Sequence, residues 1–461
     1  MQIPGRRRTR TLRGWGRLSP VPARLTRPAE EGRVASALAS PEGEARGLIA
    51  RGLGRSYGDA AQLEGGAVLD ATGLQAVGPV HVVDGRATID VGAGVSLGDL
   101  ARRVAAQGWL PPVLPGTRHV TVGGAIAADI HGKNHQRDGG FGRTVQSFSL
   151  VSADGAQHPV TRESDRALFE ATIGGMGLTG VITSARLELE PLPSGVVEVT
   201  TQRTPNLDAA MRALAEGDRS HRYSVAWLDL STPGRRARGI VQHGNLAAPL
   251  GLTEDQRRPA YEPKRALPMP PLPGRGIVRD PVIKAFNLAY WRRRRQETSM
   301  APLARFLHPL DGAATWPRLY GTGGFLQYQC VVPDGQERTL AALVDAFTKA
   351  PATPTLAVLK RLGPEGEGML SFPLAGWTLA VDLPAHDAEV YLMLDRMDEV
   401  VAAAGGRVYL AKDARLRPDV LPAMYPRLRE WAEVKQRIDP EGRVRSDLAE
   451  RLGLVPPRVA R

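Results

Sequence analysis

The chain has 461 residues, of which 42% are hydrophobic, 23% are charged and only 5% are aromatic. This length accommodates two or three domains with their own cores, and the composition excludes a disordered or fibrous protein. The net charge of +12 attracts phosphates, nucleic acid or anionic membranes, but scattered solvated arginines would produce the same value.

The 51 glycines and 37 prolines favour a loop-rich α+β or α/β protein over a helical bundle. Residues 1–30 are expected to form an arm with a basic start and a proline-containing end. No secretory signal is expected, because no apolar segment follows the first arginines, and no run reaches the about 18 apolar residues of a transmembrane helix. The single cysteine, Cys330, excludes an intrachain disulfide and a cysteine-based metal site, so no metal is expected.

A glycine-rich loop, residues 51–59 with the sequence RGLGRSYGD, follows a strand predicted at 47–50. Its glycines permit close approach of the backbone to a ligand, and successive amide groups can cradle a pyrophosphate. A Rossmann turn needs a third glycine where Tyr57 stands and a helix where a strand is predicted at 67–70. Asp70 nevertheless stands near the position of a ribose-binding acid, and an ordinary tight turn also explains the loop.

Short strands and helices alternate through the rest of the first 190 residues. A strand is predicted at 88–92, a helix at 97–107 with Ser96 as its N-cap, a hairpin at 148–160 and a strand at 181–189. Residues 111–145 are predicted to be a long ordered loop with one short helix. The sequence PLP at 191–193 marks a predicted domain boundary.

Residues 194–405 are predicted to form an α+β unit with one antiparallel sheet and helices on one face. The predicted strands and helices lie at 196–202, 207–216, 223–228, 325–332, 340–349, 378–382 and 390–404. A proline-rich insertion at 249–299 is expected to be mobile. A strand at 407–410 and helices at 431–437 and 446–452 are expected to fold back, which predicts domains of 1–190 with 407–461, and of 191–406.

Two further glycine-rich segments lie in the first region. The segment 114–135 contains Gly123-Gly124-Ala125, a helix start without bulky side chains that can lie against a planar ring or a diphosphate. His131 and Lys133 would follow it, although a tightly packed structural loop explains the segment as well. The third segment, GGMGLTGVI at 174–182, precedes a strand. Three such loops suit an extended dinucleotide better than a mononucleotide.

These three segments together resemble the FAD-binding domain of vanillyl-alcohol-oxidase-type flavoproteins. Nearly the whole chain is similar to the decaprenylphosphoryl-β-D-ribose 2′-oxidase family of actinobacteria, the flavin subunits of a ribose-to-arabinose epimerase. The shared motifs include GWGR at 14–17, FLQYQ at 325–329, SFP at 371–373, VD at 381–382 and MYP at 424–426. The resemblance implies an α+β protein: a two-domain vanillyl-alcohol-oxidase/PCMH-type FAD-binding fold with a substrate domain built on an antiparallel sheet.

The resemblance also implies which residues bind FAD. They are Arg51, Gly52, Leu53, Gly54, Arg55, Ser56, Tyr57, Gly58, Asp59, Gly116, Thr121, Val122, Gly123, Gly124, Ala128, Asp129, Ile130, His131, Ile182 and Tyr409. Many relatives in the larger superfamily attach a histidine covalently to the flavin from the first loop. Because Tyr57 occupies that neighbourhood here, non-covalent FAD is expected.

The reaction that the resemblance implies is hydride removal from C2 of a ribose ring with loss of the 2′-hydroxyl proton. Its implied catalytic residues are Lys412, Tyr57 and His131, and its implied substrate-binding residues are Lys133, Trp227, Tyr320, Gln327, Gln329, Lys360 and Lys412. Read without the resemblance, Lys412 is interpreted as a surface salt-bridge residue. Near a flavin it can clamp a lipid phosphate or, with a depressed pKa, accept a proton. Ala380 stands where mycobacterial members carry a cysteine, so a thiol-directed covalent inhibitor would lack its target.

The partners implied are a polyprenyl-phosphoryl ribose, an NADH-dependent short-chain reductase and, peripherally, the membrane of the cell envelope or periplasm. We expect Val282, Ile283, Phe286 and Tyr290 to share one face of a helix that ends in Arg292–Arg295, as in an interfacial membrane contact. A helix packed on its own sheet explains the pattern as well. The alternative activity is an alditol or aldonolactone oxidase. Nucleic acid is not an expected partner, because aromatic residues do not interleave with the basic runs.

Overall fold

The computed structural model describes residues 8–38, 46–232, 237–263 and 265–457. Its strands are β1 (Arg8–Leu12), β2 (Val21–Thr26), β3 (Leu48–Arg51), β4 (Ala67–Asp70), β5 (Val77–Val83), β6 (Arg86–Gly92), β7 (Trp109–Leu110), β8 (Val145–Val151), β9 (Gln157–Thr161), β10 (Val181–Pro191), β11 (Val196–Thr204), β12 (Tyr223–Leu228), β13 (Gly239–Leu246), β14 (Leu267–Pro268), β15 (Glu297–Pro302), β16 (Ala313–Ala314), β17 (Phe325–Pro333), β18 (Leu356–Leu362), β19 (Gly376–Pro384) and β20 (Arg407–Val408).

The α-helices connect these strands and close the chain. They are α1 (Glu31–Leu38), α2 (Leu97–Ala105), α3 (Val122–Ala127), α4 (His135–Asp138), α5 (Arg166–Thr172), α6 (Leu207–Gly217), α7 (Glu254–Arg257), α8 (Asp280–Arg293), α9 (Leu303–Leu307), α10 (Glu337–Thr348), α11 (Ala388–Ala403), α12 (Leu421–Met424), α13 (Leu428–Ile438) and α14 (Asp447–Arg451). Short 3₁₀ turns lie at 71–73, 141–144, 309–312 and 316–320.

Two sheets build the first region. In the smaller sheet the order is β1-β2-β4-β3, with β4 parallel to both β2 and β3. The other has the order β5-β6-β10-β8-β9 and is antiparallel. Asp84 and Gly85 both have positive φ (49° and 76°) between β5 and β6, as a two-residue hairpin turn requires. The glycine-rich loop leaves β3 and enters β4 without an intervening helix, which separates it from a Rossmann turn.

One antiparallel sheet dominates the second region, in the order β15-β11-β13-β12-β18-β19-β17-β20. Side chains alternate across β17: Gln327 and Gln329 line a cavity on one face, whereas Tyr328 lies against Phe347 of α10 on the other. The sheet therefore presents a polar patch to the first region and an apolar face to its own helices.

The C-terminal segment packs on the first region. Val444 bridges Leu48 of β3, and buried Trp431 of α13 donates from Nε1 to the carbonyl oxygen of Ala171 at 3.1 Å. Lys435 is also buried and donates to the Leu178 carbonyl oxygen at 2.7 Å. These contacts bring residues 407–457 beside the glycine-rich loops, while the exact domain boundaries stay a prediction.

Most predicted elements are confirmed, several with the same ends. Ser96 caps α2 by accepting from the Asp99 amide, and β4 and β12 have the predicted bounds. The predicted arm is wrong for the described residues, because β2 is an inner strand of the first sheet. The predicted strand at 407–410 covers only residues 407 and 408, after which the chain turns toward the cavity. Mobility of the insertion at 249–299 stays a prediction.

Candidate active site

A cavity of about 450 Å³ lies where the glycine-rich loops meet the large sheet. Its wall includes the loop at 52–57, the segment 115–131, residues 176–182, and the inward face of β17, β18 and β19 with residues 409–412. Trp15 and residues between 310 and 316 also contribute. We call this space the central cavity. Nineteen of the residues predicted to bind cofactor or substrate line it, namely Gly52, Leu53, Gly54, Arg55, Ser56, Tyr57, Gly116, Thr121, Gly123, Gly124, Ala128, Ile130, His131, Ile182, Gln327, Gln329, Lys360, Tyr409 and Lys412.

The loop at 52–57 has the chemistry of an anion cradle. Among the described residues, no protein acceptor receives a hydrogen bond from the amide groups of Leu53, Gly54, Arg55 or Ser56. Gly52 brings this loop against the second glycine-rich segment, because a Cβ at that position would lie 2.2 Å from Thr121 Oγ1. Free amide groups beside side-chain-free backbone fit the pyrophosphate and ring system of FAD.

Lys412 occupies the sheet side of the central cavity. Its Nζ lies 3.7 Å from the centroid of the Tyr57 ring. Burial lowers the pKa of Lys412 to about 7; the Asp382 carboxylate opposes this shift and the Lys360 ammonium adds to it. An amine with this pKa is partly neutral at physiological pH and can accept a proton.

Asp382 stands behind Gln327, its register partner on the neighbouring strand. The Asp382 side chain is buried, and its Oδ1 accepts a hydrogen bond from Gln327 Nε2 at 2.6 Å. Among the described residues, Oδ2 has no hydrogen-bond partner. Burial raises the pKa of this carboxyl to about 7, against the effects of Gln327 and Lys412. Asp382 and Lys412 therefore each favour the charged form of the other, while burial brings the pKa of both groups to about 7.

His131 is held as a neutral imidazole. Its ring lies among Phe372, Tyr409 and His135, and burial lowers its pKa well below the ordinary value. Gln329 Nε2 lies 3.0 Å from His131 Nε2. Because the amide nitrogen can only donate, we assign the ring proton to Nδ1, which has no partner among the described residues.

Five residues of the predicted FAD-binding set do not line the central cavity. Arg51 donates to the Ala61 and Arg13 carbonyl oxygens, and Asp129 accepts from the Gly142 amide and the Ser371 hydroxyl. The others are Gly58, packed on the Asp413 carbonyl, Asp59, paired with Arg451, and Val122, buried at the start of α3. These residues support the loops that form the wall.

Three residues of the predicted substrate set also lie outside the lining. Lys133 donates to the Phe306 carbonyl oxygen, and burial, with a smaller effect of Lys360, lowers its pKa to about 7. Trp227 meets Tyr290 edge to face, with ring centroids 5.0 Å apart. Tyr320 stacks on Phe325 and shares a hydrogen bond with the Thr355 hydroxyl. The substrate roles of these residues stay predictions.

The site also contains residues for which the sequence analysis states no role. Asp382 belongs to a motif of the resemblance, and it lies two positions after the cavity-lining Ala380 on β19, so both side chains share one face of the strand. Trp15, Leu310 and Trp316 line the central cavity from segments distant in sequence. No local pattern marks Leu310 or Trp316, because only the fold brings residues 309–320 to the glycine-rich loops.

Comparison with known proteins identifies the relatives of this chain. The FAD binding domain family model matches residues 22–161, and the D-arabinono-1,4-lactone oxidase model matches residues 381–452. The decaprenylphosphoryl-β-D-ribose oxidase of Mycolicibacterium smegmatis is 37% identical over 458 residues, which is 97% of this chain and 98% of that protein. An uncharacterized protein of Streptomyces coelicolor is 40% identical over 78% of this chain and 100% of its own length. An alditol oxidase of a Streptomyces species is 26% identical over 77% of this chain and 79% of its own length.

These similarities confirm the expected fold class and FAD as the cofactor, and they agree with the free amide groups and glycine-lined wall of the central cavity. They also confirm the prediction that the protein is an FAD-dependent oxidoreductase that acts on a CH–OH group. The chain belongs to the decaprenylphosphoryl-β-D-ribose oxidase family, within the flavoproteins of the vanillyl-alcohol-oxidase type.

Proposed function

We propose that this protein oxidises the 2′-hydroxyl of decaprenylphosphoryl-β-D-ribose to the 2′-ketone, the first half of an epimerisation that supplies arabinose for cell-wall arabinan. The observation that carries the proposal is the full-length similarity to an oxidase of that name, with 37% identity over 97% of the chain. The proton-accepting groups gathered in the central cavity support it.

The oxidation removes two electrons and two protons from a secondary alcohol. Bound FAD supplies the two-electron acceptor. In our proposal Lys412, in its neutral form, accepts the 2′-hydroxyl proton, and the Asp382 carboxylate stabilises the ammonium that forms. Gln327 and Gln329 would orient the sugar through its hydroxyl groups. His131 would keep its proton on the buried Nδ1 and stay neutral beside Gln329. Tyr57 would form the wall against which Lys412 is held.

We further propose peripheral membrane contact at the cell envelope through α8, and a separate NADH-dependent reductase that completes the epimerisation. Val282 and Phe286 are 52% and 62% exposed, whereas Ile283 and Asn287 of the same helix are buried. The expected single apolar face is therefore divided: of its four predicted members, Val282 and Phe286 are exposed, Tyr290 is half-buried and Ile283 is buried. Four arginines at 292–295 follow them, a composition that suits anionic headgroups. No described helix is long and apolar enough to cross a bilayer.

The decisive experiment mixes the purified flavoprotein anaerobically with farnesylphosphoryl-β-D-ribofuranose, a short-chain substrate. We expect the visible absorption of oxidised flavin to disappear and a 2′-keto sugar to form. After acid precipitation the flavin should remain in solution, as expected for non-covalent FAD. Unchanged absorption with this substrate would refute the proposed function.

An alditol or aldonolactone oxidase is the second candidate, favoured by the D-arabinono-1,4-lactone oxidase match and the alditol oxidase relative. It predicts that xylitol or an aldonolactone reduces the flavin and that peroxide appears in air. The same protein preparation serves for both measurements, so that the two activities are compared at equal flavin content.

A further inference from the structure

The mouth of the central cavity carries Arg55, a cation that has no ion-pair partner within the described part of the chain. The guanidinium carbon of Arg55 lies 3.8 Å from the centroid of the Trp15 ring, and Arg55 Nη1 donates to the Leu53 carbonyl oxygen at 3.1 Å. Among the described residues, no carboxylate forms an ion pair with Arg55. Burial lowers the pKa of Arg55 only to about 10, so its charge persists at neutral pH.

The acid that acts most strongly on Arg55 is already engaged elsewhere. Asp311 raises the pKa of Arg55, yet its Oδ1 accepts from Thr117 Oγ1 at 2.7 Å and its Oδ2 from the Arg118 amide at 2.8 Å. These bonds attach residues 309–312 to the loop after Gly116 and leave the guanidinium of Arg55 facing the cavity. A stacked guanidinium with free donors is suited to a phosphate group.

Apolar side chains surround this cation. Leu53 and Leu310 line the cavity and are still 38% and 40% exposed, and Trp15 and Trp316 are half-buried beside them, with ring centroids 6.2 Å apart. Large apolar side chains left exposed around a charged group mark a surface for an amphiphile. A free polyol would use neither the charge nor the apolar rim.

We propose that Arg55, held on Trp15, binds the phosphodiester of the lipid-linked sugar at the cavity mouth, and that Leu53 and Leu310 contact its first prenyl unit. This inference rests on the proposed function, and it identifies the group that distinguishes a glycosyl phosphate from a free sugar. The FAD pyrophosphate is the other phosphate group that a guanidinium at this position could bind. The free amide groups at 53–56 suit that pyrophosphate, whereas the Arg55 side chain lies beside the exposed apolar rim.

The test compares Arg55→Gln and Arg55→Lys with Arg102→Gln, a matched change at an exposed arginine of α2. For farnesylphosphoryl-β-D-ribofuranose we expect KM to rise about 10- to 100-fold in Arg55→Gln, the loss typical of a charged hydrogen bond, and less in Arg55→Lys. KM for methyl β-D-ribofuranoside and the flavin content should not change. An unchanged KM for the phosphorylated sugar would overturn the inference, and so would loss of flavin, which would assign Arg55 to the cofactor pyrophosphate.

A binding measurement separates this inference from the proposed function. Calorimetric titration with farnesyl phosphate requires no turnover, and it should show weaker binding to Arg55→Gln than to the parent protein. If farnesyl phosphate binds through Arg55 but the ribosyl substrate leaves the flavin oxidised, the site stands and the proposed function fails. Equal binding of farnesyl phosphate by the parent, Arg55→Gln and Arg102→Gln refutes the site.

Discussion

The chemistry of Lys412 and Asp382 depends on their surroundings more than on their residue types. A lysine in water is protonated and a carboxylate is ionised at pH 7, and neither changes its protonation state near neutral pH. Burial in the wall of the central cavity brings the pKa of each group to about 7. At this pKa a small change in pH or in neighbouring charge alters the fraction of Lys412 that is able to accept a proton.

Replacement of Lys412 tests its role as a proton acceptor. In the parent protein we expect flavin reduction to slow as the pH falls through about 7, because protonated Lys412 accepts no further proton. Lys412→Arg remains protonated over this range, so its rate should fall about 100- to 10,000-fold and lose the acidic limb. Stopped-flow measurement of flavin reduction between acidic and alkaline pH gives both the rate and its dependence on pH. A variant that keeps the parent pH profile would contradict the assignment.

Asp382→Asn should shift the pH profile of flavin reduction, an effect that a purely structural role of Asp382 would not produce. The Asp382 carboxylate raises the pKa of Lys412, so its removal should lower that pKa and move the acidic limb to lower pH. The position of the acidic limb, not KM, is the test, because Asp382 also accepts a hydrogen bond from Gln327. Asp334→Asn, an exposed change beyond the neighbouring strand, is the control and should leave the profile in place. If the acidic limb of the pH profile does not move in Asp382→Asn, the electrostatic coupling between Asp382 and Lys412 is refuted.

Among the secondary-structure elements, α14 contacts the end of the first glycine-rich loop through Arg451. Arg451 donates to both oxygens of Asp59, to Asp413 and to the Leu416 carbonyl oxygen. Asp59 ends the loop and Asp413 follows Lys412, so one guanidinium connects the cofactor loop with the turn that carries the proposed base. Both carboxylates favour the charged form of Arg451 and raise its pKa.

We therefore expect Arg451→Gln to destabilise the protein and to weaken FAD binding together. The free energy of unfolding should fall by about 1–3 kcal/mol, since the change leaves two carboxylates without their cation in a partly exposed setting. Thermal unfolding with and without added FAD measures both effects. Arg437→Gln removes an exposed pair with Asp165 in the same segment and should cost less than about 0.5 kcal/mol. Equal stability of the two variants would refute the connecting role of Arg451.

For the whole molecule, the net charge of +12 and the exposed apolar residues of α8 both favour contact with an anionic lipid surface. The helix packs beside the sheet: Asn287 donates to Asp229, just past the end of β12, at 3.0 Å, and Tyr290 meets Trp227 of β12. Its other side leaves Val282 and Phe286 exposed. Attachment on one side and apolar exposure on the other suit a helix that touches a lipid surface without leaving its own protein.

Phe286→Ser should weaken binding to vesicles that contain anionic lipid, because it removes the larger of the two exposed apolar side chains, Val282 and Phe286. Co-sedimentation with such vesicles at low and high salt measures the effect, and high salt should weaken binding by the parent protein as well. Leu392→Ser is the matched control, since Leu392 is 58% exposed on α11, a different helix. An equal loss in both variants, or none in either, would contradict a contact through α8.

Much of the fold follows from local patterns. The strands β4 and β12 and the N-cap of α2 are predictable because periodicity, β-branched residues and capping side chains act within one element. By contrast, β18 is not predicted, since Lys360 and Arg361 interrupt its apolar pattern. Lys360 lines the cavity, so the interruption reflects the site rather than the strand.

The sequence by itself determined the glycine-rich loops and the FAD cofactor, because the conformational freedom of glycine and the motifs that carry the resemblance are properties of short segments. Tertiary structure alone decided that Lys412 lies against Tyr57 with Asp382 behind Gln327, and that Arg55 faces the rim formed by Leu310 and Trp316. These residues belong to segments far apart along the chain. The pKa of each charged group depends on burial and on nearby charges, both of which arise only when those segments pack together.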